Sequence, residues 1–384
     1  MTQDITGAMA FPVFRGLGVP VWDREKIVVI IDHCAPPSTL LHTEYVAENI
    51  KFVEDYGIVH FYKMQGICHQ ILPEEGFVKP GMAIVGTDSH TTTYGALGAF
   101  STGIGSSEMV WVFVKGRLWL RVPETIRVEI SGHLQPLVMA KDIILKLLST
   151  IGTNGATYKA LEFGGETIRN LSMDGRLTLC NMALEAGAKN GIVEVDEITR
   201  SYLDGRVDGD IEFLASDAEA HYWKVLTMNV DDLVPLVACP HSPANVVPVA
   251  EAAGRKVDQV LIGTCTGGRL EDFRMAADLI RGKRISRRVR CLIIPATARI
   301  YRDMLEEGLL KVFAEAGGII CNPHCGPCGG VQMGMIADGE VCVGNHNRNF
   351  RGRMGSPKGE VYLTSAATAA ATAVAGELVD PRDL

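Results

Sequence analysis

Residues 257–294 read VDQVLIGTCTGGRLEDFRMAADLIRGKRISRRVRCLII and decide the fold class of this chain. The apolar residues of 257–262 predict a buried strand, 270–280 repeat apolar residues with the period of a helix, and 289–294 predict a second strand. Strands that alternate with helices are typical of an α/β protein with a mostly parallel sheet. Gly263-Thr264-Cys265 then lies at the carboxyl end of a strand, where open parallel sheets bind their ligands.

The same alternation continues on both sides of this segment. Further strands are predicted at 27–31, 83–85, 125–130 and 341–343, and helices at 43–56, 106–118, 140–148, 298–316 and 366–375. A change of pattern at Val122-Pro123 and an acidic stretch that ends near Asp231-Asp232 divide the chain into three units. We predict a first α/β domain at 1–122, a second with the acidic connection at 123–232, and a third with the main cysteine motifs at 233–384.

The composition limits the class of protein and of partner. Of the 384 residues, 47% are hydrophobic and 21% are charged, and the formal net charge is −8. These values predict a soluble globular protein rather than a disordered or collagen-like one. We expect a small molecule or another protein as partner, and neither nucleic acid nor a membrane. No signal peptide and no membrane span are evident, so we expect a cytoplasmic protein whose ten cysteines are thiols, metal ligands or catalytic groups.

Polar residues follow three of the predicted strands directly. Asp32-His33 follows the first, Asp88-Ser89-His90 the second, and Cys265 lies in the loop after a third. One such cluster alone is as well explained by a strand-end turn with a local hydrogen bond. Three clusters at the carboxyl ends of parallel strands favour a common ligand site.

The cysteines allow three interpretations. Cys325-Gly326-Pro327-Cys328 is a CxxC motif, which occurs in redox dithiols and in zinc sites. Cys265 is a plausible third ligand, and three thiolates suit an iron–sulfur cluster in which one iron stays open as a Lewis acid. We expect the others to be small buried hydrophobes: Cys34, Cys68, Cys180, Cys239, Cys291, Cys321 and Cys342.

An arginine-rich segment follows the predicted strand at 341–343. It carries Arg348, Arg351 and Arg353 within a polar stretch. Alone, such a segment is best explained as a solvated turn. Beside an open iron, its guanidinium groups predict a clamp for a substrate with several carboxylates.

These motifs together resemble the aconitase superfamily, and most closely its branch of 3-isopropylmalate dehydratase and homoaconitase large subunits. The matching stretches span nearly the whole chain in the order of the family: Gln3-Asp4-Ile5-Thr6-Gly7, Asp32-His33, Gly66-Ile67-Cys68-His69-Gln70, Gly86-Thr87-Asp88-Ser89-His90-Thr91, Cys180-Asn181-Met182, Ala238-Cys239-Pro240-His241, Gly263-Thr264-Cys265-Thr266, Cys325-Gly326-Pro327-Cys328 and Asn347-Arg348-Asn349-Phe350. Such a series is far more specific than any single motif.

The resemblance implies three α/β/α domains around a central cleft with a 4Fe-4S cluster. Cys265, Cys325 and Cys328 would hold the cluster, whose fourth iron stays open for substrate. Asn181 and Asn347 would donate hydrogen bonds near it. The family roles also imply three catalytic pairs and a set of carboxylate-binding residues. The implied pairs are Asp32 with His33, Asp88 with His90, and His69 with Glu185, and the implied substrate-binding residues are Gln3, Ser89, Arg348 and Arg353.

The resemblance also implies a hydro-lyase with a second subunit. In this superfamily the catalytic base lies on a fourth, swivelling domain, and in the dehydratase branch a separate small subunit supplies it. Because the chain ends soon after the last predicted helix, we expect it to be inactive alone. The expected substrate is a small di- or tricarboxylate, best 3-isopropylmalate of leucine synthesis, with homoaconitate or dimethylmalate as alternatives. A redox or zinc protein is the competing class.

Overall fold

A computed structural model describes all of residues 1–384. Its strands are β1 (Thr2–Gln3), β2 (Val28–Ile31), β3 (His60–Lys63), β4 (Ala83–Gly86), β5 (Phe100–Gly103), β6 (Glu124–Ser131), β7 (Lys159–Gly164), β8 (Asn190–Val193), β9 (Lys224–Asn229), β10 (Leu236–Ala238), β11 (Val246–Pro248), β12 (Gln259–Gly263), β13 (Arg290–Ile294), β14 (Ile319–Ile320), β15 (Val341–Gly344) and β16 (Glu360–Leu363). Its α-helices are α1 (Asp4–Gly16), α2 (Leu40–Tyr56), α3 (Cys68–Glu74), α4 (Ser106–Lys115), α5 (Ala140–Ile151), α6 (Glu166–Asn170), α7 (Met173–Met182), α8 (Glu197–Leu203), α9 (Val249–Ala252), α10 (Thr264–Gly267), α11 (Leu270–Ile280), α12 (Ala298–Glu306), α13 (Leu309–Ala316) and α14 (Ala366–Ala375). Four 3₁₀ segments complete the list: Ser89–Leu97, Ala183–Ala186, Gly326–Gly329 and Pro381–Asp383.

The strands form four sheets that are parallel in most of their pairings. The sheet orders are β1-β2-β3, β4-β5, β8-β7-β6-β9 and β11-β10-β16-β15-β12-β13-β14. Only the pairings of β10 with β11 and with β16 are antiparallel. The predicted α/β class with mostly parallel sheets is therefore confirmed. The domain boundaries at 122 and 232 stay a prediction.

The segment that decides the fold forms a strand–helix–strand unit. β12 and β13 pair in parallel with Leu261 opposite Leu292, and α11 has the bounds that its helical period predicts. All five residues of β12 are buried, as in a strand covered on both faces. The prediction of one helix over 298–316 is wrong. The chain turns at Gly308, whose φ of 71° lies in the left-handed region, so α12 and α13 are separate helices.

The fold brings several strand ends to one place. Asp32 follows β2, Asp88 follows β4 closely, Cys265 lies just beyond β12, and Asn345 follows β15. A single core cluster of 78 buried residues runs through the sheets that carry most of these ends. A smaller aromatic core supports β2 from behind, where the rings of Phe11 and Phe52 stack at 3.8 Å. The polar loops are thus held on a rigid base.

None of the helices combines the length and the apolar character that crossing a membrane requires.

Candidate functional site

An open cleft of about 660 Å³ lies where the strand ends meet. Six of the residues predicted from the sequence line it: Gln3, His33, Asp88, Ser89, Arg348 and Arg353. The remaining predicted residues lie directly behind this wall. The cleft is therefore the place at which the site is assembled.

Asp88 is the centre of the acid–base network. It caps the 3₁₀ segment Ser89–Leu97, and its Oδ1 accepts hydrogen bonds from the backbone N of His90 and from Nε2 of His69, each at 2.8 Å. Nε2 of His33 lies 3.6 Å from its Oδ2. Burial raises the pKa of the Asp88 carboxyl, but the His69 ring and His90 outweigh burial and hold this pKa well below its usual range. Asp88 is thus a carboxylate that faces more than one imidazole.

The structure differs from the predicted pairing of His69 and His90. Asp88 was expected to pair with the His90 ring, and His69 with Glu185. The pairing of His69 with Glu185 is wrong, because Nε2 of His69 lies 2.8 Å from Oδ1 of Asp88. The His90 ring lies between two carboxylates, with Nδ1 at 3.6 Å from Oδ1 of Asp88 and Nε2 at 2.8 Å from Oε1 of Glu185.

Asp32 and His33 pair as predicted, with Nδ1 of His33 at 2.8 Å from Oδ1 of Asp32. The other carboxylate oxygen of Asp32 accepts a hydrogen bond from the backbone N of Cys68 at 2.8 Å. Burial lowers the pKa of His33, but the Cys325 thiol and the Asp32 carboxylate outweigh burial and raise this pKa well above its ordinary value. Asp32 therefore orients the His33 ring through Nδ1 and favours its protonated form.

Arg348 links the substrate side of the cleft to Glu185. Its Nε donates to Oε1 of Glu185 at 2.9 Å, and its Nη2 donates to Oγ of Ser89 at 3.3 Å. Burial raises the pKa of Glu185, but His90 and Arg348 outweigh it, and the pKa is lowered. Nε of Arg353 donates to the carbonyl of Cys328 at 2.8 Å. The expected third guanidinium is outside the site, because Arg351 is exposed and donates to the carbonyl of Pro357.

Gln3 is fixed by the start of α1. Its Oε1 accepts hydrogen bonds from the backbone N of Ile5 at 2.7 Å and of Thr6 at 3.4 Å. The carbonyl side of this amide is therefore used as a helix cap. The NH₂ side is left as the donor that a substrate carboxylate needs.

The three predicted metal ligands are buried thiols on two loops. The exposed fractions of Cys265, Cys325 and Cys328 are 4%, 9% and 7%. The side-chain amide of Asn347 bridges two of them, since its Nδ2 donates to Sγ of Cys265 at 3.5 Å and its Oδ1 accepts from Sγ of Cys328 at 3.0 Å. Asn181 also donates to Sγ of Cys265, at 3.4 Å, and its Oδ1 lies 3.4 Å from Nδ2 of Asn347. The ligating atoms of Cys325, Asp32 and His33 lie within 4.8 Å of one another, which joins the thiols to the histidines.

These surroundings fit an iron–sulfur cluster. Burial raises the pKa of Cys265 to about 12, so the free thiol is neutral, whereas a metal-bound thiol is deprotonated. The amide N–H groups aimed at Cys265 suit such a thiolate. Beside the ligands, Oγ1 of Thr264 and Nε2 of His324 are buried without a hydrogen-bond partner in the chain. Buried polar atoms are normally satisfied, and these two are free to bond a further polar group beside the thiols.

The other seven cysteines are free thiols. Six are buried, as expected, and Cys239 is half-buried. Cys68 lies at the edge of the site, because its Sγ is 3.6 Å from Nε2 of His69. It is thus a buried neighbour of the acid–base network as well as part of the core.

Sequence reasoning assigned no role to three residues that support the site. Asp4 accepts hydrogen bonds from the backbone N of His33 at 3.2 Å and of Cys34 at 2.6 Å, which fixes the loop after β2. Lys141 of α5 is buried and donates to the carbonyls of Asn345 and His346, ahead of Asn347. Arg269 donates to the carbonyl of Cys265 at 2.8 Å. Asp4 belongs to the first matching motif and could have been found there, whereas Lys141 gives no signal in the sequence.

Comparisons with known proteins point to one family over the whole chain. A family model described as "Aconitase family (aconitate hydratase)" matches residues 1–376. The crystal structure of aconitase X from Thermococcus kodakaraensis, in its holo form, superimposes with a TM-score of 0.51 over 93% of this chain and 82% of that chain. At 14% identity, this likeness concerns the fold alone and agrees with the α/β architecture.

Curated relatives are similar along their sequences as well. A Methanopyrus kandleri protein named 3-isopropylmalate dehydratase large subunit 1 is 51% identical, and a Methanothermobacter thermautotrophicus protein named probable 3-isopropylmalate dehydratase large subunit is 49% identical. Each match covers 100% of this chain and 92% of the relative. A second M. thermautotrophicus protein, named probable methanogen homoaconitase large subunit, is 45% identical over 100% of this chain and 91% of its own.

Proposed function

The chain belongs to the aconitase family, and we propose that it is the large subunit of an iron–sulfur hydro-lyase that isomerises 3-isopropylmalate. The reaction removes water from a hydroxy dicarboxylate and adds it back with the hydroxyl on the adjacent carbon. It needs activation of the hydroxyl, proton donors and cations for the carboxylates. The observation that carries the proposal is the convergence of three buried thiols, three histidine–carboxylate pairs and two arginines at one cleft.

We propose that Cys265, Cys325 and Cys328 hold a 4Fe-4S cluster with one open iron. When bound, such a cluster supplies a Lewis acid for the hydroxyl and a carboxylate of the substrate. Asn181 and Asn347 donate hydrogen bonds to Cys265 and so orient this ligand. While Cys328 is a thiol, Asn347 also links the two cysteine segments, since its Nδ2 donates to Cys265 and its Oδ1 accepts from Cys328.

The histidines hold the protons that the leaving hydroxyl requires. His33 faces the cleft, and Asp32 fixes its tautomer through Nδ1. His69 and His90 share the same arrangement with Asp88 and Glu185. A carboxylate behind an imidazole makes the ring a stronger base and stabilises its protonated form, which allows it to donate a proton and to recover it.

The substrate carboxylates bind at the arginine side of the cleft. Arg348 and Arg353 line it together with Ser89, and Arg348 is oriented by its hydrogen bond to Glu185. The NH₂ group of Gln3 adds a neutral donor. Two guanidinium groups at one wall suit the two carboxylates of a malate derivative.

The side group of the substrate, beyond its two carboxylates, would contact a different set of cleft residues. The apolar residues of the cleft lining are Ile5, Ile104, Leu184 and Ala188, which suit a branched alkyl group. Glu108 and Lys189, which carry opposite charges, also line the cleft. The apolar lining therefore favours 3-isopropylmalate over homoaconitate, with dimethylmalate as a further alternative.

A small subunit completes the enzyme in this proposal. Relatives that match the whole chain carry the name large subunit, and the catalytic base is expected on the partner. The reduced state of ten free thiols suits a cytoplasmic enzyme.

The test uses the anaerobically reconstituted chain with and without its small subunit on a panel of 3-isopropylmalate, homoaconitate and dimethylmalate. We expect turnover only with the small subunit, and the highest kcat/KM for 3-isopropylmalate. Full activity of the single chain would contradict the role of the partner. Retention of one tightly bound zinc ion without uptake of iron would favour a zinc or redox protein instead.

A further inference from the structure

Two arginines, Arg176 and Arg269, have completely buried side chains. A buried charge is costly unless an opposite charge lies beside it. Arg176 meets this condition, because its Nη1 and Nη2 bind the two oxygens of Asp196 at 2.7 and 2.6 Å. Arg176 thus shows how this protein normally accommodates a guanidinium in its core.

Arg269 is different, because no carboxylate oxygen lies within 4.0 Å of its guanidinium nitrogens. All four of its side-chain hydrogen bonds go to neutral acceptors: Oε1 of Gln70 at 2.9 Å, Oγ1 of Thr178 at 3.1 Å, the carbonyl of Thr266 at 2.9 Å and the carbonyl of Cys265 at 2.8 Å. The guanidinium is hydrogen-bonded but has no counter-ion in contact.

The nearby carboxyls do not contact the guanidinium. Asp272 accepts a hydrogen bond only from the backbone N of Arg269, at 3.2 Å. Burial raises the pKa of Asp174, and it raises the pKa of Asp272 to about 7, while the Arg269 charge acts on both in the opposite direction. The guanidinium instead contacts the Cys265 turn, and Cys265 becomes an anion as a metal ligand.

The loop that Arg269 holds has little freedom. Thr264 has a φ of 68°, in the left-handed region that a β-branched residue rarely adopts. A Cβ on Gly267 would lie 2.2 Å from Nδ2 of Asn345. Two carbonyls of this turn, those of Cys265 and Thr266, bind the same guanidinium. Arg269 therefore fixes the turn through its backbone carbonyls, whereas Asn181 and Asn347 contact the sulfur of Cys265.

We propose that Arg269 is a positioning residue that clamps the Cys265 turn and supplies the positive charge opposite the cluster-bound thiolate. The inference rests on the cluster of the proposed function. A fixed cation beside a ligand thiolate stabilises the additional negative charge of a reduced cluster and opposes loss of the ligand. Removing it lowers the reduction potential of the cluster and speeds cluster loss in air.

The test compares R269Q, R269K and R176Q in the reconstituted chain, by potentiometric titration followed by electron paramagnetic resonance and by the rate of cluster loss in air. For R269Q we expect a more negative potential and cluster loss about tenfold faster. R269K keeps the positive charge but loses the planar set of N–H donors of the guanidinium. We therefore expect a reduction potential near that of the wild type and a rate of cluster loss between those of the wild type and R269Q. R176Q is the matched control, with a lower melting temperature and an unchanged potential.

The outcomes separate this inference from the proposed function. A wild-type chain that builds no cluster contradicts the proposed function itself. A wild-type cluster with the same potential and the same loss rate in R269Q overturns only the role of Arg269. If R269Q does not fold, the R269K variant provides the test. A rate of cluster loss in R269K equal to that of the wild type would contradict the proposal that Arg269 clamps the Cys265 turn. An equal shift of potential in R176Q would assign the effect to general destabilisation.

Discussion

The two halves of the candidate site differ in how their charges are balanced. In the histidine half (Asp32, His33, His69, Asp88, His90 and Glu185), each ring has a carboxylate oxygen at 2.8 Å. In the cysteine half (Cys265, Cys325, Cys328, Asn181, Asn347 and Arg269), amide donors and an unpaired guanidinium surround neutral thiols. The first half is complete within the chain, whereas the second is arranged for an anionic group that the chain does not itself provide.

The largest effect is expected from removing a thiol of the cysteine half. Cys265→Ser should abolish the cluster, because only two thiolates remain and oxygen is a poor ligand for iron–sulfur clusters. Visible absorbance and the content of labile iron and sulfide measure this loss. Cys239→Ser, at a half-buried thiol outside the site, is the control and should build a normal cluster. Normal cluster content in Cys265→Ser would show that the thiols were wrongly assigned.

A substitution in the histidine half should strongly reduce catalysis without affecting the cluster. Asp88→Asn removes the charge that faces His69 and His33, and kcat should fall by about 10²–10⁴-fold. The spectrum of the cluster should stay unchanged, because Asp88 contacts no thiol. Asp338→Asn is the control, since Asp338 is an exposed carboxylate that pairs with Lys358 outside the cleft. Loss of the cluster in Asp88→Asn would mean that the halves are not independent.

A smaller effect is expected where substrate meets the histidine half. Arg348→Lys keeps a positive charge but loses the planar donors that bind Glu185 and Ser89. We expect kcat/KM to fall by about 10- to 100-fold, mostly through KM, as for the loss of one charged hydrogen bond. Steady-state kinetics of the complete enzyme measures it. Arg351→Lys, at an exposed arginine outside the cleft, should behave as the wild type, and an equal loss there would exclude specific recognition.

The smallest effects are expected from the amides of the cysteine half. Asn181→Ala and Asn347→Ala each remove one N–H donor to Sγ of Cys265, which should make the cluster potential more negative. The two shifts should be similar, because each side chain donates one N–H to the same sulfur, at 3.4 and 3.5 Å. Potentiometric titration of both variants measures them. A potential that is unchanged in both variants would contradict the role of these amides.

The sequence was sufficient to predict the class of fold and the candidate residues at strand ends, because both depend on local pattern. β12 and α11 follow from apolar periodicity, and polar residues mark the ends of β2, β4 and β12. These three strands belong to three different sheets, so their ends meet only through the packing of the sheets. The break between α12 and α13 was missed, since a single Gly308 within a helical pattern is often tolerated.

The partners of the histidines could not be predicted from their spacing. Asp88 lies between the rings of His69 and His90 and also caps the 3₁₀ segment, so its closest imidazole is set by the packing of two separate loops. The role of Arg269 was equally hidden, because it contacts Gln70 and Thr178, which are 199 and 91 positions away. Such contacts arise only when distant loops pack together.

Mössbauer spectroscopy of the anaerobically reconstituted wild-type chain tests the central claim most directly, because it distinguishes individual iron sites. If Cys265, Cys325 and Cys328 hold a cluster with one open iron, substrate should change the signal of one iron in four and leave the other three unchanged. Four irons that do not respond to substrate, or a chain that takes up no iron, would contradict the account.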